Sequence, residues 1–255
     1  AKVRDWVVSK TSLFHSVGLL ETHQGPTKAK SLRRVFRKAG FVSNQAIARE
    51  TGMGGLTGGV IFGLRAHLCS QFAPPEWAPS TTKMQGLDWV GNIDRVSGLS
   101  FLVIYAYFNT GVGAPKSNHQ KFMQILECKQ TINLPTILVG DFNMTKQELE
   151  NLGWHSLFNG FCLVPEVAYT CNSHAGKRII DFALVSNDLL GLVTICGFFD
   201  VTWGPHIGLL LRVSKNPKEH KVLQACAPKP LPNLLESRKN KDCVATTTNL
   251  SLIHI

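Results

Sequence analysis

The longest uninterrupted apolar stretch in this 255-residue sequence is F-L-V-I-Y-A-Y-F, residues 101–108. A bilayer-spanning helix needs about 20 such residues, so no transmembrane segment is expected. Short, β-branched and aromatic, the run reads instead as a strand. Similar runs recur at 17–20, at 60–64 after a glycine-dense stretch, at 87–90, 136–139, 178–185, 192–197 and 206–213. Between them, Leu32, Val35 and Phe36, then Phe122, Ile125, Leu126 and Lys129, fall at helical spacing. Thr145 and Glu148 form a T-x-x-E capping box that opens a further short helix. The first twenty residues read as an amphipathic helix, with Val3, Trp6, Val7 and Leu13, feeding the first strand. With 44% hydrophobic and 17% charged residues, the chain can bury a sizeable core.

Charge narrows the partners. Lys and Arg number 27 against 17 Asp and Glu, a formal +10 with a sequence pI near 9.4. Nucleic acid, phosphorylated molecules and acidic membrane faces suit such a chain. Residues 214–255 carry seven Lys/Arg against three acids, with Pro217, Pro228, Pro230 and Pro232 breaking any periodicity. They read as a basic, mostly disordered tail behind a folded domain at 1–213. The folded part keeps a net +6, including Arg33, Arg34, Arg37 and Lys38 on one helix: either a solvated face or a phosphate-backbone contact.

The seven cysteines are widely spaced, odd in number and never C-x-x-C. That argues against a disulfide scaffold or structural zinc and fits a reducing compartment, nuclear or cytoplasmic. The opening A-K-V-R-D-W has no apolar h-region, so no signal peptide is visible. The glycine cluster at 52–59 lacks a following G-K-[ST], which excludes a nucleotide-binding P-loop.

Several polar residues fall where apolar strands end: Glu21, Asp141 with Asn143, Asp181 and His206. Each has an ordinary explanation alone. An Asp in a turn is usually a cap, and an acid in an apolar strand usually pairs with a neighbour such as Arg178. Brought together, they supply hard oxygen ligands for a divalent cation, an orienting amide and a carboxylate–imidazole pair. That is equipment for metal-assisted phosphoester hydrolysis.

The motifs G-D-F-N at 140–143, R-I-I-D-F-A-L-V-S at 178–186, L-L-E-T-H at 19–23 and I-Y-A at 104–106 occur in an order that resembles the endonuclease/exonuclease/phosphatase superfamily. The stretch I-Y-A-Y-F-N-T-G-V-G-A-P is similar to retrotransposon-type endonucleases, and G-G-V-I-F-G-L-R to the strand after the catalytic glutamate. The resemblance covers roughly residues 3–213, and G-D-F-N followed about 40 residues later by I-D-F is its most specific element. It implies a four-layer α/β sandwich: two mixed sheets face to face with outer helices. It implies a Mg²⁺- or Mn²⁺-dependent phosphodiesterase acting on nucleic acid, DNA ahead of RNA, with a phosphatase or lipid phosphodiesterase as the alternative on the same fold. By resemblance, Glu21 is the metal ligand, and Asp141 aligns or deprotonates the attacking water. Asn143 holds the phosphate or that water, Tyr105 bonds a phosphate oxygen, and Asp181 orients His206 at the scissile phosphate.

Two departures accompany it. Where the family ends in S-D-H this chain has W-G-P-H, so Pro205 replaces a carboxylate. The family's first strand, which carries an asparagine at the metal site, is expected upstream of Ala1. Both allow a third reading, a catalytically inactive relative that binds nucleic acid or protein. His23 could approach the site, and Trp203 could line a substrate groove or stack on a base. The other histidines lack metal-ligand spacing.

Overall fold

The computed structural model describes residues 5–6, 9, 14–52, 54–66, 85–86, 88–96, 98–111, 114–174, 176–201 and 204–214. The chain runs through β1 (Ser16–Leu19), α1 (Pro26–Lys38), β2 (Phe41–Ala46), β3 (Arg49–Glu50), β4 (Leu56–Thr57), β5 (Val60–Arg65), β6 (Gln85–Gly86), β7 (Trp89–Val96) and β8 (Leu99–Tyr107). It continues through α2 (Ala114–Ile132), β9 (Thr136–Asp141), α3 (Lys146–Asn151), α4 (Trp154–Phe158), β10 (Gly160–Leu163), β11 (Cys171–Ser173), β12 (Gly176–Arg178), β13 (Asp181–Ser186), β14 (Val193–Phe198) and β15 (Gly208–Val213).

Six strands form one mixed sheet in the order β10-β13-β9-β8-β7-β6, in which β8 and β9 are parallel and the other pairs antiparallel. A second layer holds the antiparallel sheet β1-β5-β2, with β14 and β15 paired as a separate hairpin.

Side-chain alternation along β8 assigns the layers, because successive residues of a strand point to opposite faces. Leu102, Ile104, Ala106 and Phe108 pack with Phe122 and Ile125 of α2 and with Trp154 and Phe158 of α4. Tyr105 and Tyr107 point the other way and meet Val60, Phe62 and Leu64 of β5. Residue 61 of β5 faces outward again: Ile61 joins Phe36 of α1, Phe41, Val17 and Leu19. Helices, sheet, sheet, helix: the four-layer sandwich is the observed architecture.

Local signals in the sequence explain the elements. α1 opens with Pro26, keeps Ala29 and Phe36 buried and ends on Arg37 and Lys38, cations favoured by the helix dipole. Its Lys28, Lys30, Arg33, Arg34, Arg37 and Lys38 are exposed. The capping box forms as expected: Thr145 accepts from the Glu148 amide, and the Glu148 carboxylate accepts from the Thr145 amide.

The expected strand at 178–185 is broken. Arg178 ends β12 and Asp181 begins β13, so the carboxylate stands at a strand start. Of the expected N-terminal helix, Asp5, Trp6 and Ser9 are described and helical, with Trp6 buried against Phe14 and Phe198. The expected tail from Lys215 onward, and Trp203, lie outside the described residues.

Gly140, at the end of β9, is a steric necessity. A β-carbon there would lie 1.8 Å from the Ala106 carbonyl oxygen of β8. Gly140→Ala is expected to force the two strands apart and to cost about 3 kcal/mol, the upper range for overpacking, measured by urea unfolding.

Candidate active site

Asp141 and Asp181 face each other across β9 and β13, and both are buried, at 4% and 7% exposure. Like charges directly opposite in an antiparallel pair repel, so the surrounding donors decide whether the arrangement stands. The Asn143 amide N–H donates to Asp141 Oδ1 at 2.9 Å, and its side-chain amide donates to Oδ2 at 3.2 Å and to the Phe108 carbonyl at 2.8 Å. Asn143 reaches both oxygens from a left-handed backbone, φ 52°, a conformation asparagine tolerates.

On the other side, His206 Nδ1 lies 2.9 and 3.1 Å from the two Asp181 oxygens. Its Nε2 is thereby turned toward Asp141, 4.0 Å from Oδ2. Arg178, the ordinary partner for Asp181, pairs with Glu148 at 3.2 Å.

Thr170 holds Asp181 and His206 in place, and nothing in its local sequence announced it. Its Oγ1 accepts from the amides of Ile180 and Asp181, both at 3.0 Å. Its carbonyl accepts from Ile207 N at 2.9 Å, while Cys171 bridges His206 and Asn172 N donates to the Pro205 carbonyl at 3.0 Å. One buried threonine therefore docks the segment carrying His206 onto the strand start carrying Asp181.

Glu21 arrives from the second layer. It sits past β1 with φ 47°, followed by Thr22 and His23 whose amides donate to the carbonyls of Gly59 and Gly58 at 3.0 and 3.1 Å. The Tyr107 side chain lies close to the Glu21 carboxylate. Ligand atoms of Glu21, Asp141 and His206 lie within 4.8 Å of one another, the one such group of three among the described residues. Two carboxylate oxygens and one imidazole nitrogen can hold a divalent cation.

Titration follows from this crowding. Burial, and then the charge of Asp181, raises Asp141 to about 7, against the opposing pull of His206. For His206, burial disfavours the imidazolium, but the Asp181 hydrogen bond and the charges of Asp181, Asp141 and Glu21 outweigh it and lift the group to about 8. Burial, and then Glu21, push Tyr107 well above the ordinary phenol value, so it stays a neutral donor.

The structure brings together Glu21, Asp141, Asn143, Asp181 and His206. Tyr105 lies deeper in the adjoining cavity, whose lining it shares with Glu21, Asp141, Asp181 and His206. The Tyr105 ring stacks on Phe62 at 4.9 Å between the sheets, with its hydroxyl end toward Ser16 at the start of β1. The tyrosine hydroxyl at the site belongs to Tyr107, one alternation further along the same face of β8. His23 is exposed and its ring bonds the Leu56 carbonyl. A cavity of about 1760 Å³ leads from the site between β1 and β15, floored by Phe101, Val103, Ile137 and Val139.

No protein-family model and no curated protein sequence matches the chain. Solved structures do. An AP endonuclease from Leishmania major superposes with a TM-score of 0.61 at 11% identity, over 84% of this chain and 82% of that one. An endonuclease/exonuclease/phosphatase family protein from Leptotrichia buccalis gives 0.55 at 15% identity, over 83% and 90%. A humanized D. rerio TDP2 gives 0.50 at 16%, over 81% and 87%. The fold is that of the endonuclease/exonuclease/phosphatase superfamily. Within this DNase-I-like sandwich, the carboxylate and imidazole cluster occupies one end of the two sheets.

Asp141 and His206 both hold protons more tightly folded than unfolded, so both make the metal-free protein less stable as pH rises. The Asp141 contribution falls away between about 4 and about 7, and that of His206 between about 6.5 and about 8. In urea titrations with EDTA, Asp141→Asn should gain on the parent between about pH 4 and about 7; a constant difference across that range would contradict the assignment.

Proposed function

We propose that this chain is a divalent-metal-dependent phosphodiesterase that hydrolyses nucleic acid, DNA ahead of RNA, by in-line attack of water. Residues 1–213 form the hydrolase domain, with 214–255 as a basic extension. The observation that carries the reading is the convergence of Glu21, Asp141 and His206 within 4.8 Å, with Asp181 behind the imidazole. The fold shared with an AP endonuclease supports it. The donor set fits Mg²⁺ or Mn²⁺, hard cations that favour carboxylate oxygen. Glu21 would hold such an ion, which when bound would neutralise charge developing on the phosphoryl oxygens.

The chain's own residues do the rest. Asp141, raised toward neutrality, is matched to accept a proton from water near physiological pH. Asn143 fixes both Asp141 oxygens and so aims the carboxylate. His206, protonated below about 8 and oriented through Nδ1 by Asp181, presents Nε2–H to a phosphate oxygen. Tyr107, kept neutral, offers a hydroxyl beside Glu21. Pro205 leaves the cluster one carboxylate short of the family pattern, but its carbonyl still secures the His206 segment through Asn172.

Cleavage of labelled DNA in Mg²⁺ or Mn²⁺ should fall at least a hundredfold in Asp141→Ala and in His206→Ala, the scale of losing a general acid or base. Binding without turnover by the parent in either metal would sink the hydrolase reading. The pH–rate profile should be bell-shaped, rising as Asp141 loses its proton and falling as His206 loses its own. Asp181→Asn should move both limbs to lower pH, because Asp181 raises both groups; limbs that stay in place would contradict the pairing.

A further inference from the structure

Beside the Glu21 turn, one buried carboxylate is shared by two cations. Asp88 is wholly buried and takes φ 58°. Its carboxylate accepts from Lys121 Nζ at 3.2 Å, Arg49 Nη2 at 2.8 Å and Gly59 N at 3.2 Å. Lys121 is 3% exposed and also donates to the Tyr107 carbonyl. Lys121 and Asp88 thus already form a hydrogen-bonded, charge-balanced pair, the form in which buried ions persist.

Arg49 is the second cation on that carboxylate, and it is not enclosed: its side chain is 35% exposed. Its other bond, Nη2 to Asn109 Oδ1 at 2.8 Å, uses the same nitrogen. Asn109 is itself locked, with Nδ2 donating to Ser117 Oγ at 2.9 Å and its amide to Asn118 Oδ1 at 2.7 Å. The guanidinium is therefore pinned at one corner by two fixed acceptors. Among the described residues neither Nε nor Nη1 has a partner, and Nε is buried, so Nη1 is the donor left for a ligand.

Position gives this a meaning. Ala48, next to Arg49, donates its amide to the Gln24 carbonyl, three residues past Glu21. Asn109 lies two residues past Tyr107, whose side chain is close to Glu21, and the intervening Phe108 carbonyl is held by Asn143. Arg49 is thus tied through neighbouring backbone segments to the Glu21 turn and to the Tyr107 end of β8. A permanently charged planar fork, pre-oriented and with donors unspent, recognises oxyanions.

We propose that Arg49 binds a non-bridging oxygen of a backbone phosphate adjoining the scissile one, making it a substrate-binding residue for polymeric phosphodiesters. The proposal rests on the nucleic-acid reading above. Its test is affinity of the full chain for a fluorescent DNA oligonucleotide in EDTA, where cleavage is silent, over a NaCl series, for the parent, Arg49→Gln and Arg49→Lys. Removing one phosphate contact should lower the slope of log K against log salt by about 0.7 to 0.9. Arg49→Gln should bind several-fold more weakly at low salt and converge on the parent at high salt, and Arg49→Lys should recover the slope. A residue serving only to neutralise Asp88 would lower the melting temperature and leave the slope intact. An unchanged slope in Arg49→Gln therefore overturns the proposal, while a parent that shows no salt-dependent binding overturns the nucleic-acid reading beneath it.

Discussion

The electrostatic repulsion between Asp141 and Asp181 governs this end of the molecule. Register places them opposite each other, and packing removes them from water. Two buried anions in that position persist only with positive charge or donors supplied from elsewhere. Asn143 supplies amide hydrogens, His206 an imidazolium, and raised proton affinity supplies the remainder. Every one of these is a response to unmet negative charge. A divalent cation would meet the same demand, and the strand register is what creates it.

The sandwich assembles this demand from distant parts of the chain. β8 and β9 run parallel and end together, so Tyr107 and Asp141 emerge at one level. The approach depends on Gly140, whose missing side chain lets the Ala106 carbonyl come close. Glu21 is delivered from the other sheet by a turn hung on Gly58 and Gly59, and Gly59 in turn donates to Asp88. A buried ion cluster beside the Glu21 turn thereby fixes the reach of that carboxylate.

How legible this was depended on whether the cause was local. The helices, the Thr145 capping box and the strand ends at Asp141 and Glu21 follow from periodicity and turn chemistry within a few residues. The pairing of Asp181 with His206 came from motif order, and the distances agree with it. Tyr105 and Tyr107 lie on the same face of one strand, so alternation cannot choose between them. The choice depends on where β1 and Glu21 sit, a contact spanning more than eighty residues. Thr170 and Asp88 were illegible for a related reason: a lone threonine and an aspartate beside Trp89 carry no pattern, and their partners come from elsewhere in the chain. Arg178 also misled, since sequence proximity suggested Asp181 and the capping-box glutamate claimed it.

Backbone conformation adds a further consequence. Of the six non-glycine residues with left-handed φ among the described residues, Glu21, His23, Asp88 and Asn143 lie in turns next to the cluster, while Asn133 and Asn159, of the type that tolerates it best, lie in other turns. Each such residue costs on the order of 1 kcal/mol that surrounding contacts must offset. The interior of the six-stranded sheet carries no comparable debt: its strands are regular and its aromatic stack of Phe108, Phe142 and Phe182 is closely spaced. Stability is therefore uneven along the sandwich. Hydrogen exchange in such a molecule begins at the end that holds the carboxylates, where local opening relieves the turns, while the aromatic core remains closed until the whole domain unfolds.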